Sequence, residues 1–426
     1  MQGAAGLLGH RGFRLHLLGC LLSWTGSAVA PLALAFAALA IDGDPTALGA
    51  VLAVGVLPQI ALLPVGGVIA DRHARGRVMV WSNLVCALAE AAAAGLIWSG
   101  TVRTWQLALM AGVCGAASAF FTPAAEGNVV QVVPAGQRHT ANALLKFGQN
   151  VGKMSSPALG GALVGAAGPA WALGWDAITF AVSALLFARI GATPLVTRPG
   201  AVVPTAVWLR AGLRAELSQG WHEVWHRRWL AVMVCQAALT GSIWLAGYQI
   251  LGPVYGMRVL GGAGAWGVVG SAFTGGLVAG AALALVRKPS SAGLLVCVGT
   301  GTLALPLAVI AARMPLPVLV AAFLVAGTGL EAAMVVWASL LQEHIPGDRL
   351  SRTLSYLTLG QMLPVPVAYL ATGPVTLALG LHTTLATAAV LLITAALLPL
   401  ALPQVRGLTL WPSDEPLSSR SARTVA

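Results

Sequence analysis

The sequence predicts an all-α integral membrane protein of about twelve transmembrane helices, arranged as two six-helix bundles. Three observations carry this expectation. Of the 426 residues, 58% are hydrophobic and only 9% charged, against roughly 25% charged in soluble globular chains. A spanning helix needs about 20 mostly apolar residues, so a chain of this length holds about twelve with short connections and no soluble domain. Finally, basic residues recur at every second break between apolar runs.

In chain order, Met1 to Arg14 carries His10 and Arg11 but lacks the small-residue cleavage site that follows a short apolar core in a secretory signal. It is expected to be a retained cytoplasmic tail. Apolar runs broken by charges, Pro and Gly place spans near 13–40, 46–70, 77–98, 104–133, 139–166 and 169–189. A second set lies near 229–257, 263–286, 291–312, 316–345, 350–374 and 376–402. The expected organisation is an N-terminal bundle over 1–189, a linker over 190–228, a C-terminal bundle over 229–403 and a tail over 404–426. In the linker, Leu209, Leu213, Leu217, Trp221 and Trp225 recur at four-residue steps with Arg210, Arg214, Glu216 and Glu223 on other faces. That spacing predicts an amphipathic helix lying in the headgroup region, a reading compatible with a plain connector. The tail is polar and rich in Ser and Arg, a composition that does not build a packed core.

The formal charge of +11 does not point to nucleic acid, because the Lys and Arg residues sit at the ends of apolar stretches rather than on one face. They report orientation instead. One side of the membrane receives Arg72, Arg75 and Arg77, then Arg138, the linker arginines, Arg287 with Lys288, Arg349 with Arg352, and Arg406; the other receives only Arg103, Arg258 and Arg313. Cytoplasmic loops carry the Lys/Arg excess, which predicts two cytoplasmic termini in a cell membrane. The halves also echo each other. At an offset of 346 − 134 = 212 residues, Pro134 falls on Pro346 and Gly148–Gln149 falls on Gly360–Gln361, as expected where transporters are built from structural repeats.

After the second span stands Gly67-Val-Ile-Ala-Asp71-Arg72-His-Ala-Arg75-Gly-Arg77. In the fifth span stands Gly152-Lys153-Met-Ser-Ser156-Pro157-Ala-Leu-Gly160-Gly161. With these motifs the chain resembles the major facilitator superfamily (MFS). The motif after span two is similar to that family's gating motif, with Gly76 in place of a usual basic residue. The span-five motif resembles the one its exporters carry, with Ser156 where glycine is usual. Phe120-Phe121-Thr122-Pro123-Ala124 through Val133-Pro134, Ala141-Asn142-Ala143-Leu144, and Gly168-Pro169-Ala170-Trp171 through Asp176 are similar to the drug and siderophore exporter branch. The resemblance implies the MFS fold, and a gating role for Gly67, Asp71, Arg72, Arg75 and Arg77 in contacts that form and break between the halves.

Ionisable residues inside spans are costly and usually functional, which selects Glu90, Glu126, Lys153, Asp176 and Glu331. Lys146 and Glu343 lie closer to the expected cytoplasmic ends. If the family arrangement holds, spans one, four, seven and ten line a central cavity, which favours Glu126 and Glu331 as proton or cation sites. Glu90 and Asp176 fall on spans that the family places peripherally, where a structural hydrogen-bonding role is equally expected. Lys153 either neutralises Glu126, touches an anionic substrate, or snorkels to the interface. Trp24, Gln59, Gln236, Trp244, Tyr248, Gln249, Trp337 and Gln361 complete the candidate lining, though Trp and Tyr also gather at bilayer interfaces.

Other chemistries find little support. The five cysteines, Cys20, Cys86, Cys114, Cys235 and Cys297, fall in apolar runs without metal-ligand spacing and read as packing residues. His222-Glu223-Val-Trp-His226 fits HExxH, but Arg227 and Arg228 follow at once and no nearby third ligand completes a zinc site. Of the eight histidines only His382 falls well inside an apolar run, which leaves a membrane-embedded enzyme without converging catalytic groups. The 51 glycines include no P-loop pattern, so the energy source is expected to be a proton gradient, with no cofactor and no metal. The expected function is export of small amphipathic organic molecules, such as an antibiotic, a siderophore or another secondary metabolite, by a monomeric proton antiporter through alternating access. Its partners are then the small-molecule substrate and membrane lipid, not nucleic acid. The alternative is a proton-coupled importer of a small nutrient.

Overall fold

The computed structural model describes residues 2–134, 137–190, 227–286, 291–345 and 357–409. After a short helix, Gln2–Gly9, the first half contains α1 (Arg11–Asp42), α2 (Pro45–Arg72), α3 (Arg75–Trp98), α4 (Thr104–Val132), α5 (Arg138–Ala167) and α6 (Pro169–Ala188). The second half contains α7 (Arg228–Arg258), α8 (Ala263–Val286), α9 (Ala292–Ala311), α10 (Leu316–His344), α11 (Leu357–Leu379) and α12 (Leu381–Ala401). Eleven of these are long and apolar enough to cross a membrane. The remaining one, α5, has the length of a span at 30 residues, but it holds Lys146, Gln149 and Lys153, and only Ala158–Ala167 is a continuous apolar stretch. The chain is a multi-pass, all-α membrane protein.

Local chemistry sets the boundaries. Asp44 caps α2 by accepting the Thr46 amide at 2.8 Å, and Pro45 occupies the first helical position, where its missing N–H costs nothing. Gly43 ends α1 with φ of 63°, the left-handed conformation that terminates many helices. Two further glycines reverse the chain at matching places. Gly168 joins α5 to α6 with φ of 88°, and Gly380 joins α11 to α12 with φ of 81°. Their separation is 380 − 168 = 212 residues, the offset read from the prolines. The expected amphipathic helix of the 190–228 linker, from Leu209 to Trp225, lies outside the described residues, as do His222, Glu223 and His226 and the tail beyond 409.

The repeat is visible in the packing. α1 packs on α5 and α6, α2 on α4, and α3 on α4 and α6; the second half repeats this with α7 on α11 and α12, α8 on α10, and α9 on α10 and α12. Between halves, α5 meets α8 and α2 meets α11. Small residues allow these approaches. A Cβ on Gly66 would strike the Ala119 carbonyl of α4, whereas one on Gly67 would meet nothing within 4 Å. The close α2–α4 approach thus belongs to Gly66 and not to the neighbouring motif glycine. Accordingly, Gly66→Leu is expected to destabilise the first half by about 1–3 kcal/mol through overpacking, and Gly67→Ala to leave it unchanged, as read by thermal unfolding of the purified protein.

The tight contacts between halves gather at the end of the molecule opposite the termini. There Gly161 of α5 lies against Gly267 of α8, Gly165 lies against Gly264, and Gly373 near the end of α11 lies against Thr46 at the start of α2. Arg258, at the end of α7, donates to the Gly43 carbonyl at 3.1 Å. In this conformation the two halves are sealed at that end.

Candidate functional site

Below this seal, near the middle of the helices, the halves part around a cavity of about 490 Å³. That volume lies within the roughly 300–1,000 Å³ of small-molecule sites. The wall from the first half is built by Ser27 and Pro31 of α1, Gly55 of α2, Glu90 of α3, Cys114 and Ser118 of α4, and Asp176 and Phe180 of α6. The facing wall is neutral, with Gly241 and Gln249 of α7 and Gln361 and Tyr369 of α11. Gln249 accepts the Tyr369 hydroxyl at 2.9 Å, which joins α7 to α11 across the wall. A five-residue π-helical stretch, Gly247–Leu251, presents Gln249 there, the kind of irregularity that frequently marks functional sites.

Glu90 and Asp176 are 4% and 1% exposed. Each is half satisfied. One carboxyl oxygen of Glu90 accepts the Cys114 thiol at 3.5 Å, and one of Asp176 accepts the Thr179 hydroxyl at 3.3 Å. The second oxygen of each is buried without a hydrogen-bond partner among the described residues. Buried polar atoms are nearly always paired, and an orphaned one asks for a missing partner. The described lining of the cavity contains no basic side chain. Local sequence explains the arrangement. Gly26 on α1 removes the side chain that would otherwise collide with Thr179 and Asp176, so α6 lies close enough to α1 for Asp176 to reach the cavity. Chemically, each carboxyl can take up a proton or pair with a cation that reaches the wall.

Residues 15–369 match the Major Facilitator Superfamily. The chain belongs to this family. It is also similar to multidrug efflux pump Tap of Mycobacterium tuberculosis (strain ATCC 25618 / H37Rv), at 26% identity over 422 residues, covering 95% of this chain and 97% of that protein. Multidrug efflux pump Tap of Mycolicibacterium fortuitum is 22% identical over 402 residues, covering 93% and 97%. Among solved structures, a POT family transporter in complex with a thioalcohol-conjugated peptide superposes with a TM-score of 0.71 at 12% identity, covering 93% of this chain and 96% of that one. A mutant of the nucleoside transporter NupG superposes with a TM-score of 0.70 at 12% identity, covering 92% and 99%. These two likenesses show a shared fold.

This MFS transporter distributes the sequence-selected residues unevenly. Glu126 does not line the central cavity; it pairs with Lys146 at 3.6 Å, both side chains being about two-thirds exposed. It borders instead a small pocket of about 60 Å³ between α1, α4 and α5, together with Trp24 and Gln149. Glu331 is half-buried on the face of α10 toward α8, where a Cβ on Gly280 would touch it. The structure thus sets the two carboxylates favoured from span position apart from the cavity, and brings there the two that the family pattern places peripherally. Gln249 and Gln361 line the cavity, Gln59 does not, and Gln236, Trp244 and Trp337 line a side chamber. Tyr248 stacks on Trp244, with ring centroids 5.5 Å apart.

In the motif after α2, Arg75 donates to the Gly127 carbonyl of α4 at 2.6 Å, fastening the α2–α3 turn to α4. Arg72 and Arg77 are exposed. In the α5 motif, Gly152 and Gly160 face α1 and Gly161 faces α8. The side chains of Asp71, Lys153, Ser156 and Pro157 lie outside the described part of the structure. One buried group is missed by the sequence, where it stands among residues near a span end. His16, fully buried within α1, bonds Asn128 of α4 at 3.1 Å. Among the described residues, no three His, Cys, Asp or Glu side chains are grouped to hold a metal ion.

Proposed function

We propose that this transporter exports amphipathic organic cations across a cell membrane in exchange for protons, with Glu90 and Asp176 as the site the two kinds of cation share. The observation that carries the reading is the pair of buried carboxyl groups on the cavity wall, each with an orphaned oxygen and neither with a basic side chain in the described lining. Intramembrane carboxyls facing a cavity are the usual elements of proton relays. The role of the relatives, multidrug efflux, supports the direction and breadth of transport. The fold supports alternating access as the mechanism: the seal of α2, α5, α8 and α11 opens while the opposite end closes, so that the cavity faces one side at a time.

The Lys/Arg excess at the end carrying the termini supports a cytoplasmic location for both. The sealed end is then external and the cavity faces the cytoplasm, ready to load substrate. Within this reading 1–189 and 229–403 are the two moving halves, one chain is the transporting unit, and Arg75 and its motif neighbours control the cytoplasmic closure. The Glu126–Lys146 pair is exposed and lies outside the lining of the central cavity, so it is assigned no part in the shared cation site. Glu126→Gln is therefore expected to keep efflux within about twofold. The test of direction uses intact cells loaded with a fluorescent organic cation. Cells making the protein are expected to deplete the dye faster than control cells; faster accumulation would identify an importer and overturn the proposal.

A further inference from the structure

A second chamber opens off the central cavity into the second half. It occupies about 170 Å³ between α7, α9, α10 and α11, and it shares Ala237, Gly241, Leu245 and Gln361 with the central cavity, so the two spaces are continuous. Its character is different. Among its lining residues none is ionisable; its walls include the indoles of Trp244 and Trp337 and the thioethers of Met233 and Met334. Aromatic faces and methionine sulfur both make favourable contacts with aromatic rings. The polar groups at its floor are already engaged: Gln236 donates to the Thr300 hydroxyl at 2.7 Å, and Thr300 donates to the Val296 carbonyl at 2.8 Å. The indoles are held in place, Trp337 edge-on to Trp229 with centroids 6.3 Å apart and Trp244 stacked on Tyr248. The chamber is therefore built before any ligand arrives.

Its size selects an occupant. An apolar cavity of about 150 Å³ accepts benzene, so this chamber has room for one six-membered ring. The corresponding pocket of the first half, which Gln149 borders as Gln361 borders this one, is only about 60 Å³ and carries Glu126, Lys146 and His16. The two halves are thus chemically unequal.

We propose that the chamber is a subsite for one uncharged aromatic ring of the substrate, whose cationic end lies across the cavity at Glu90 and Asp176. The assignment rests on the cation reading above and adds to it a second recognition element, which selects molecules carrying a ring and a charge at opposite ends. Gln361, whose side chain makes no hydrogen bond among the described residues, stands at the junction and is free to bond a polar substituent on the ring or linker.

Gly241 gives a clean test, because a Cβ built there meets nothing within 4 Å and a larger side chain would enter the shared mouth of the two spaces. Binding of (6-benzyloxyhexyl)trimethylammonium and of (6-hexyloxyhexyl)trimethylammonium is measured by equilibrium dialysis on the purified full chain in lipid nanodiscs. These probes carry the same charge and differ in ring against chain. Gly241→Leu is expected to weaken the benzyl probe at least about tenfold, the worth of burying one aromatic ring, and the hexyl probe by less than about twofold. Gly241→Ala is expected to give an intermediate loss for the benzyl probe and serves if the larger variant does not fold. Glu90→Gln with Asp176→Asn should weaken both probes alike. Equal losses for both probes in Gly241→Leu, or none for either, would overturn the ring subsite while leaving the cation site standing. Wild-type protein that binds neither probe would overturn the cation reading and the occupant assigned here with it.

Discussion

With Glu90→Gln and Asp176→Asn combined, uphill efflux driven by a proton gradient is expected to fall at least about 30-fold. Removing a partner from a buried charged contact costs about 2–5 kcal/mol, and in the proposed site the lost partner serves both the proton and the organic cation. Each single substitution should retain more activity, because the remaining carboxyl still holds one cation. The double variant is also expected to lose the pH dependence of substrate binding, since no acid remains on the described cavity wall to exchange a proton for the substrate. The check is binding and gradient-driven efflux of the same cation at several pH values. Wild-type coupling in the double variant would remove both residues from the mechanism.

The other large effect concerns the seal. Gly161→Val places a branched side chain against the backbone of Gly267 where α5 meets α8. Overpacking of this kind costs about 1–3 kcal/mol. The cost falls only on the conformation sealed at the end opposite the termini, so the populations should shift by about 5- to 150-fold toward the state open there. A native reporter is present: Cys114 lines the cavity beside Glu90, and Cys235, which is exposed, can be replaced beforehand. Labelling of Cys114 by a membrane-impermeant maleimide from that face is expected to rise by the same factor. Efflux should fall, because the sealed state becomes rare. An unchanged labelling rate in a folded variant would show that the glycine contact does not govern closure.

The fold was legible because its main signals are one-dimensional. Apolar length, the Lys/Arg rhythm and the 212-residue offset do not depend on how helices rotate, and the structure repeats that offset at Gly168 and Gly380. The site was less legible because it depends on rotation and close approach. Glu126 sits on α4, a helix expected to line the cavity, yet its position turns it to Lys146 of α5. Asp176 sits on α6, yet Gly26 lets that helix approach α1 and delivers the carboxyl to the wall. Only the pairing of Gly26 with Asp176 and Thr179 could have signalled this, and it links residues about 150 apart in the chain. Similarly, two adjacent glycines, Gly66 and Gly67, differ only in which faces α4. His16 escaped notice because it stands early in α1, where the sequence suggests solvent and the structure has Asn128 and Phe187.

The most direct test of proton-coupled cation export uses inverted membrane vesicles with an acid interior, followed by a pH-sensitive dye as amphipathic organic cations are added one at a time. The account predicts that some additions dissipate the gradient in vesicles containing the protein, and that neither control vesicles nor the Glu90→Gln, Asp176→Asn variant responds. Uptake of the cation into wild-type vesicles with no accompanying proton movement would contradict it.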